Sequence, residues 1–119
     1  MSLDQCALGR KGEGVKNEYG EMEYVDEIYL ADWSNHPNLH GFMQSVYGGG
    51  DINGVDVNLT LEDIDALEEA IDELGLPETQ GFFIGDNSDE YYAEQDSKFI
   101  VDARSAIENG YGIYYYSNW

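Results

Sequence analysis

Thr60-Leu61-Glu62-Asp63-Ile64-Asp65-Ala66-Leu67-Glu68-Glu69-Ala70-Ile71-Asp72-Glu73-Leu74-Gly75-Leu76-Pro77 is a helix with both ends written into the chain. Leu61, Ile64, Leu67, Ile71 and Leu74 recur at three- and four-residue steps and so share one face, while acidic residues fill most of the other. Thr60 is placed to cap the first free N–H groups, and Asp63 adds a carboxylate to the positive first turn. Gly75 and Pro77 stop it. The spacing predicts a helix over 61–74.

Just before it, Val55-Asp56-Val57-Asn58-Leu59 alternates strictly, the pattern of a half-buried strand over 55–59. Further upstream, Pro37 opens a second helix over 37–47, whose apolar face is Leu39, Phe42, Met43, Val46 and Tyr47 and whose end is Gly48-Gly49-Gly50. Tyr24 to Trp33 fits a helical stripe, with a short strand at Ile28-Tyr29-Leu30 as the competing reading. Residues 1–23, broken by Gly9, Gly12, Gly14 and Gly20, read as a flexible arm or irregular hairpin ahead of one domain over 24–119.

Downstream, Phe82-Phe83-Ile84 is a candidate third strand at 82–84. A third helix over 95–108 carries Phe99, Ile100, Ala103, Ala106 and Ile107, with Lys98–Asp102 and Arg104–Glu108 as i,i+4 pairs. The aromatic run Ile113-Tyr114-Tyr115-Tyr116 argues for a closing strand over 113–116. Short strands and helices without regular alternation make an α+β domain, with 55–59 pairing 113–116 and the two long helices across one face.

Charge narrows the function. Five Lys and Arg face 25 Asp and Glu. Binding to nucleic acid needs cations against phosphates, so direct contact with DNA or RNA is excluded, as is an anionic membrane surface. No apolar run is long enough to span a bilayer. The start lacks a basic-then-apolar leader and Cys6 is the one cysteine, so the expected location is cytoplasmic. The acidity fits a solvated or salt-adapted surface, a docking face for a basic protein, or mimicry of nucleic acid.

Catalytic and cofactor motifs do not emerge. Asp51-Ile52-Asn53-Gly54 has the wrong spacing for a calcium loop, and no Gly-Lys-Ser/Thr follows Gly48-Gly49-Gly50 to bind phosphate. No cofactor is expected, and an enzyme is the less favoured reading. His36 and His40, four apart, with Asp32 four residues earlier, form one alternative: a metal- or small-ligand-binding site. Tyrosines that must alternate between the two faces of a strand point instead to a binding or homodimerising surface.

Several runs taken together resemble a family of short bacteriophage and prophage proteins of unknown function. They are Leu30-Ala31-Asp32-Trp33-Ser34-Asn35-His36-Pro37-Asn38-Leu39-His40-Gly41-Phe42-Met43, Leu59 to Glu68, Leu76 to Gly85, Phe99 to Arg104 and Tyr114-Tyr115-Tyr116-Ser117-Asn118-Trp119. Some members carry the label phosphoglycerate kinase, which a chain so poor in cations and phosphate loops does not support. Relatives more often place basic residues where this chain has Ser34-Asn35. The family brings no established activity; the missing catalytic motifs, the charge, the surplus tyrosine and this resemblance together lead to the expectation of an interaction protein acting in the cytoplasm of an infected host on a host or phage protein, one that is basic if the charge guides it. The expected binding residues are Trp33, His36, His40, Tyr114, Tyr116 and Trp119.

Overall fold

Strand β1, Asp4–Lys11, lies inside the main sheet. A computed structural model describes residues 3–12, 15–16, 18–23, 26–76 and 91–118. From β1 the chain passes through a two-stranded ribbon, β2 Val15–Lys16 and β3 Met22–Glu23, and returns as β4, Asp26–Ser34. Helix α1 is Pro37–Tyr47, β5 is Val57–Leu59, and α2 is Leu61–Glu69 continued by one π-helical turn, Ala70–Leu74. Helix α3, Ala93–Glu108, leads into β6, Gly112–Asn118. The strand order is β4-β1-β6-β5 with every neighbour antiparallel, and the α+β class holds.

The expected pairing of 55–59 with 113–116 is present, Val57 opposite Tyr115 and Leu59 opposite Ile113. The candidate strand at 82–84 lies outside the described residues. Two expectations fail for physical reasons. The stretch 1–23 is a hairpin in part, but no arm: β1 pairs β4 on one side and β6 on the other, so no boundary at 23/24 sets it apart from the domain. Its inward residues Gln5, Ala7 and Gly9 are small or polar, which hid the alternation. Gly9 has to be small, because a Cβ there would come within 2.9 Å of the Ile28 side chain.

The favoured helix over 24–33 is the strand β4. Its register slips between Ala7–Ala31 and Leu8–Tyr29, leaving Leu30 as the extra residue of a bulge. A bulge shifts strand alternation by one, so the inward Ile28 and Ala31 stand three apart and imitate a helical step.

All three helices bury their apolar stripes against one face of the sheet. Leu39 and Met43 of α1, Ile64 and Leu67 of α2, and Phe99, Ile100 and Ala103 of α3 meet Ala31, Trp33, Val57, Ile113 and Tyr115. Trp33 meets Phe99 edge-on, with ring centroids 5.3 Å apart. The ends form as the sequence reads: Thr60 Oγ1 accepts from the Asp63 N–H at 3.2 Å, and the Asp63 carboxylate accepts from the Thr60 N–H at 2.8 Å. Gly48, at φ 101° and ψ 12°, closes α1 in the left-handed conformation that favours glycine. Lys98 pairs with Asp102 at 2.7 Å as expected. Arg104 reaches instead across to Asp65 and Glu68 of α2, at 2.7 and 2.8 Å, and so links the two helices.

Candidate functional site

The link from β4 to α1 carries two of the expected site residues into the interior. Asn35 takes φ 57°, its N–H donates to the Leu3 carbonyl at 2.8 Å, and its side-chain oxygen accepts from the Leu3 N–H at 2.9 Å. This reversal delivers His36 to the N-cap position of α1, yet its side chain makes no capping bond. The ring turns inward, stacks on Tyr92 with centroids 5.0 Å apart, and brings Nε2 to 2.9 Å from an Asp96 oxygen. The other Asp96 oxygen accepts from the Trp33 indole N–H at 2.8 Å.

Gln5 extends this network through the sheet. Its side-chain oxygen accepts from the His36 backbone N–H at 2.9 Å. Its amide donates to the His36 carbonyl and to the Tyr115 hydroxyl, both at 3.0 Å. The Tyr115 hydroxyl in turn bonds His40 Nδ1 at 2.8 Å. The linked series Trp33–Asp96–His36–Gln5–Tyr115–His40 ties β4, α3, α1, β1 and β6 together, and each member is at most 3% exposed. Buried polar groups are costly unless bonded, and such a network specifies one arrangement of the elements.

Trp33, His36 and His40 are therefore close neighbours, as the sequence suggested, but sealed inside the fold. An imidazole beside a carboxylate has the residue types of an acid–base pair. Here both groups are buried, and the pair braces the junction of strand and helices. Asp32 is exposed on the other face of β4 from Trp33, so it does not join the two histidines. Among the described residues no three His, Cys, Asp or Glu side chains are grouped to hold a metal ion.

Burial pushes His40 down to about 4, against a smaller opposing pull from the Asp51 carboxylate. The folded state thus resists protonating His40 while the unfolded chain accepts the proton near pH 6.5. Stability from this group is full above pH 6.5, falls as the pH drops toward 4 and levels off below that. A loss on the order of 3 kcal/mol is expected across that window. In urea titrations at successive pH values, His40→Asn should flatten the slope, and an unchanged slope would show that other groups carry it.

The opposite face of the sheet is open, since among the described residues no helix packs on it. Tyr114 and Tyr116 project there from β6, as strand alternation predicted, beside Leu8 and Cys6 of β1 and Tyr29 of β4. Tyr29 is 62% exposed. Asp4, Glu27, Asp32 and Asp56 rim the patch. Arg10 lies over the Tyr114 ring, 5.0 Å from its centroid, and binds Glu27 at 2.9 Å and Asp56 at 2.8 Å. At the other end Asp4, Cys6, Tyr116 and Asn118 border a shallow depression of about 250 Å³. Burial, Asp56 and other nearby carboxylates push the Cys6 thiol up, so it is a poor nucleophile despite the opposing Arg10 charge.

Trp119 falls outside the described residues. Sequence reasoning missed Gln5, Asp96 and Tyr115 in the interior and Leu8 and Tyr29 on the open face. One signal was available: Asp96 stands three, four and seven residues before Phe99, Ile100 and Ala103, a carboxylate inside an apolar stripe. Comparison of the chain with models of protein families, with curated proteins and with solved structures returns no match in any of the three.

Proposed function

We propose that the chain is a non-enzymatic protein-interaction module that docks a basic host or phage protein on the open face of its sheet, in the cytoplasm of an infected bacterium. The supporting observation is the continuous outer patch of Leu8, Tyr29, Tyr114 and Tyr116 inside a rim of four carboxylates. Tyrosine offers broad contact area with few rotors to immobilise, and its ring face attracts cations. Arg10 gives a resident example of the chemistry, a guanidinium held between carboxylates above a tyrosine ring. A partner's arginine or lysine would meet groups of the same kinds, Asp4, Asp32 and the Tyr29 and Tyr116 rings, and the formal charge of −20 would speed its approach at low salt.

The test is capture from bacterial lysate with the tagged chain, compared with the double variant Tyr114→Ser, Tyr116→Ser and with Glu73→Gln, an exposed change away from the patch. The expected result is a basic protein retained at about 0.15 M salt, where exposed charges more than about 8 Å apart are largely screened. Its affinity should fall about tenfold or more in the double variant and hold in Glu73→Gln. Equal capture by all three would reduce the interaction to charge alone and remove the patch from the proposal.

A further inference from the structure

Strand β4 is an edge strand among the described strands, and its two halves are treated differently. Near its end, side chains of α3 occupy the edge. The Tyr92 hydroxyl accepts from the Ser34 N–H at 3.0 Å and donates to the Ser34 carbonyl at 2.9 Å, standing in for a neighbouring strand. Gln95 donates to the Asp32 carbonyl beside it. From Glu27 to Leu30, no side chain among the described residues bonds to the edge in this way. There the edge borders a groove of about 530 Å³ between β4 and the C-terminal half of α3. Ile28, Leu30 and Ala106 supply its apolar surface, Lys11 and Asp102 its charged margin, and Tyr29 its border with the outer face.

We propose that this groove is a second interaction site, which takes an extended segment of a partner as a fifth strand beside β4, with apolar and basic residues alternating along it. Strand addition obtains affinity from main-chain bonds to an edge and selectivity from alternate side-chain pockets. Alternation would turn one set of the segment's side chains onto Ile28, Leu30 and Ala106. The other set would face outward past Tyr29 and the exposed Glu27 carboxylate, where basic groups are complementary to a molecule of charge −20. A second copy of this chain is the wrong occupant, because antiparallel pairing of two β4 edges would bring together two molecules of charge −20 along edges that each carry an exposed Glu27. The blocked upper half confines the segment to the lower half, and the bulge at Leu30 marks where ordinary pairing stops. This site shares Tyr29 and Glu27 with the border of the tyrosine face and makes no use of Tyr114 or Tyr116.

The probe is a fluorescein-labelled heptapeptide alternating valine with lysine, and the same peptide with glutamate in place of lysine is the control. Binding is read by fluorescence anisotropy and by two-dimensional amide NMR of the full chain. The lysine peptide should bind, shift amides within 27–30 and 102–109, and slow amide exchange at 27–30; the glutamate peptide should not bind. Ser105→Trp, an exposed change that fills the groove, should weaken binding about tenfold or more. The double variant Tyr114→Ser, Tyr116→Ser should leave peptide binding unchanged. Shifts centred on Tyr114 and Tyr116, equal binding of both peptides, binding indifferent to Ser105→Trp, or no binding of the lysine peptide would each overturn the proposal. Capture of a partner by the tyrosine face is read separately, by the lysate experiment with Tyr114→Ser, Tyr116→Ser.

Discussion

A chain that starts at Gly12 is expected to show no cooperative unfolding transition in urea. The deletion removes β1, the only strand that joins β4 to β6 among the described strands. Without it β4 has no partner and β5–β6 is a two-stranded ribbon, which is marginal in water by itself. Leu3 and Ala7, both fully buried, go with it. So does Gln5, whose amide bridges His36 and Tyr115. A domain of this size has about 5–15 kcal/mol of stability in all, and one lost central strand exceeds that margin. Circular dichroism followed through a urea titration decides it. A cooperative transition with the parent's midpoint would mean that residues 1–11 are dispensable to the fold.

Asp96→Ala should cost about 3–5 kcal/mol, more than an average core truncation of a side chain so small, because it strands two buried partners. The Trp33 N–H and His36 Nε2 both bond this carboxylate, and the three side chains are nearly inaccessible to water. Asp96→Asn separates bonding from packing. The amide has nearly the same shape and keeps one good acceptor, so it serves one partner and turns its NH2 toward the other. A loss of about 1–3 kcal/mol is expected for it, between the parent and the alanine variant. Equilibrium urea unfolding of all three proteins reads the series. A cost below about 1 kcal/mol for Asp96→Ala would show that the network contributes little and that apolar burial alone holds α3 to β4.

Legibility in the sequence followed the range of the interactions. Helix α1 occurs over the expected span, α2 carries its expected capping pair, and β5 meets β6 in the expected pairing, because periodicity and caps act within a few residues. Even here local reading overran: the regular helix gives way to a π turn at Ala70, and Leu61 of the apolar stripe is half exposed. Helical spacing pairs Arg104 with Glu108, but the side chain bonds Asp65 and Glu68, partners that only helix packing brings near. Strand β4 reads as a helix because a bulge imitates helical phase, and β1 is hidden because its inward residues are small where Tyr115 and Ile28 fill the space.

The chain by itself determined the α+β class, the positions of its helices, the alternation that turns Tyr114 and Tyr116 away from Tyr115, and a charge hostile to nucleic acid. Each is a property of neighbouring residues or of composition. Only tertiary structure decided that the first strand sits inside the sheet, that Asp32 and the two histidines part company, and that Asp96 meets His36. Those outcomes depend on contacts such as Gln5 to Tyr115, which span 110 positions of the chain, and no short-range pattern encodes so distant a partner.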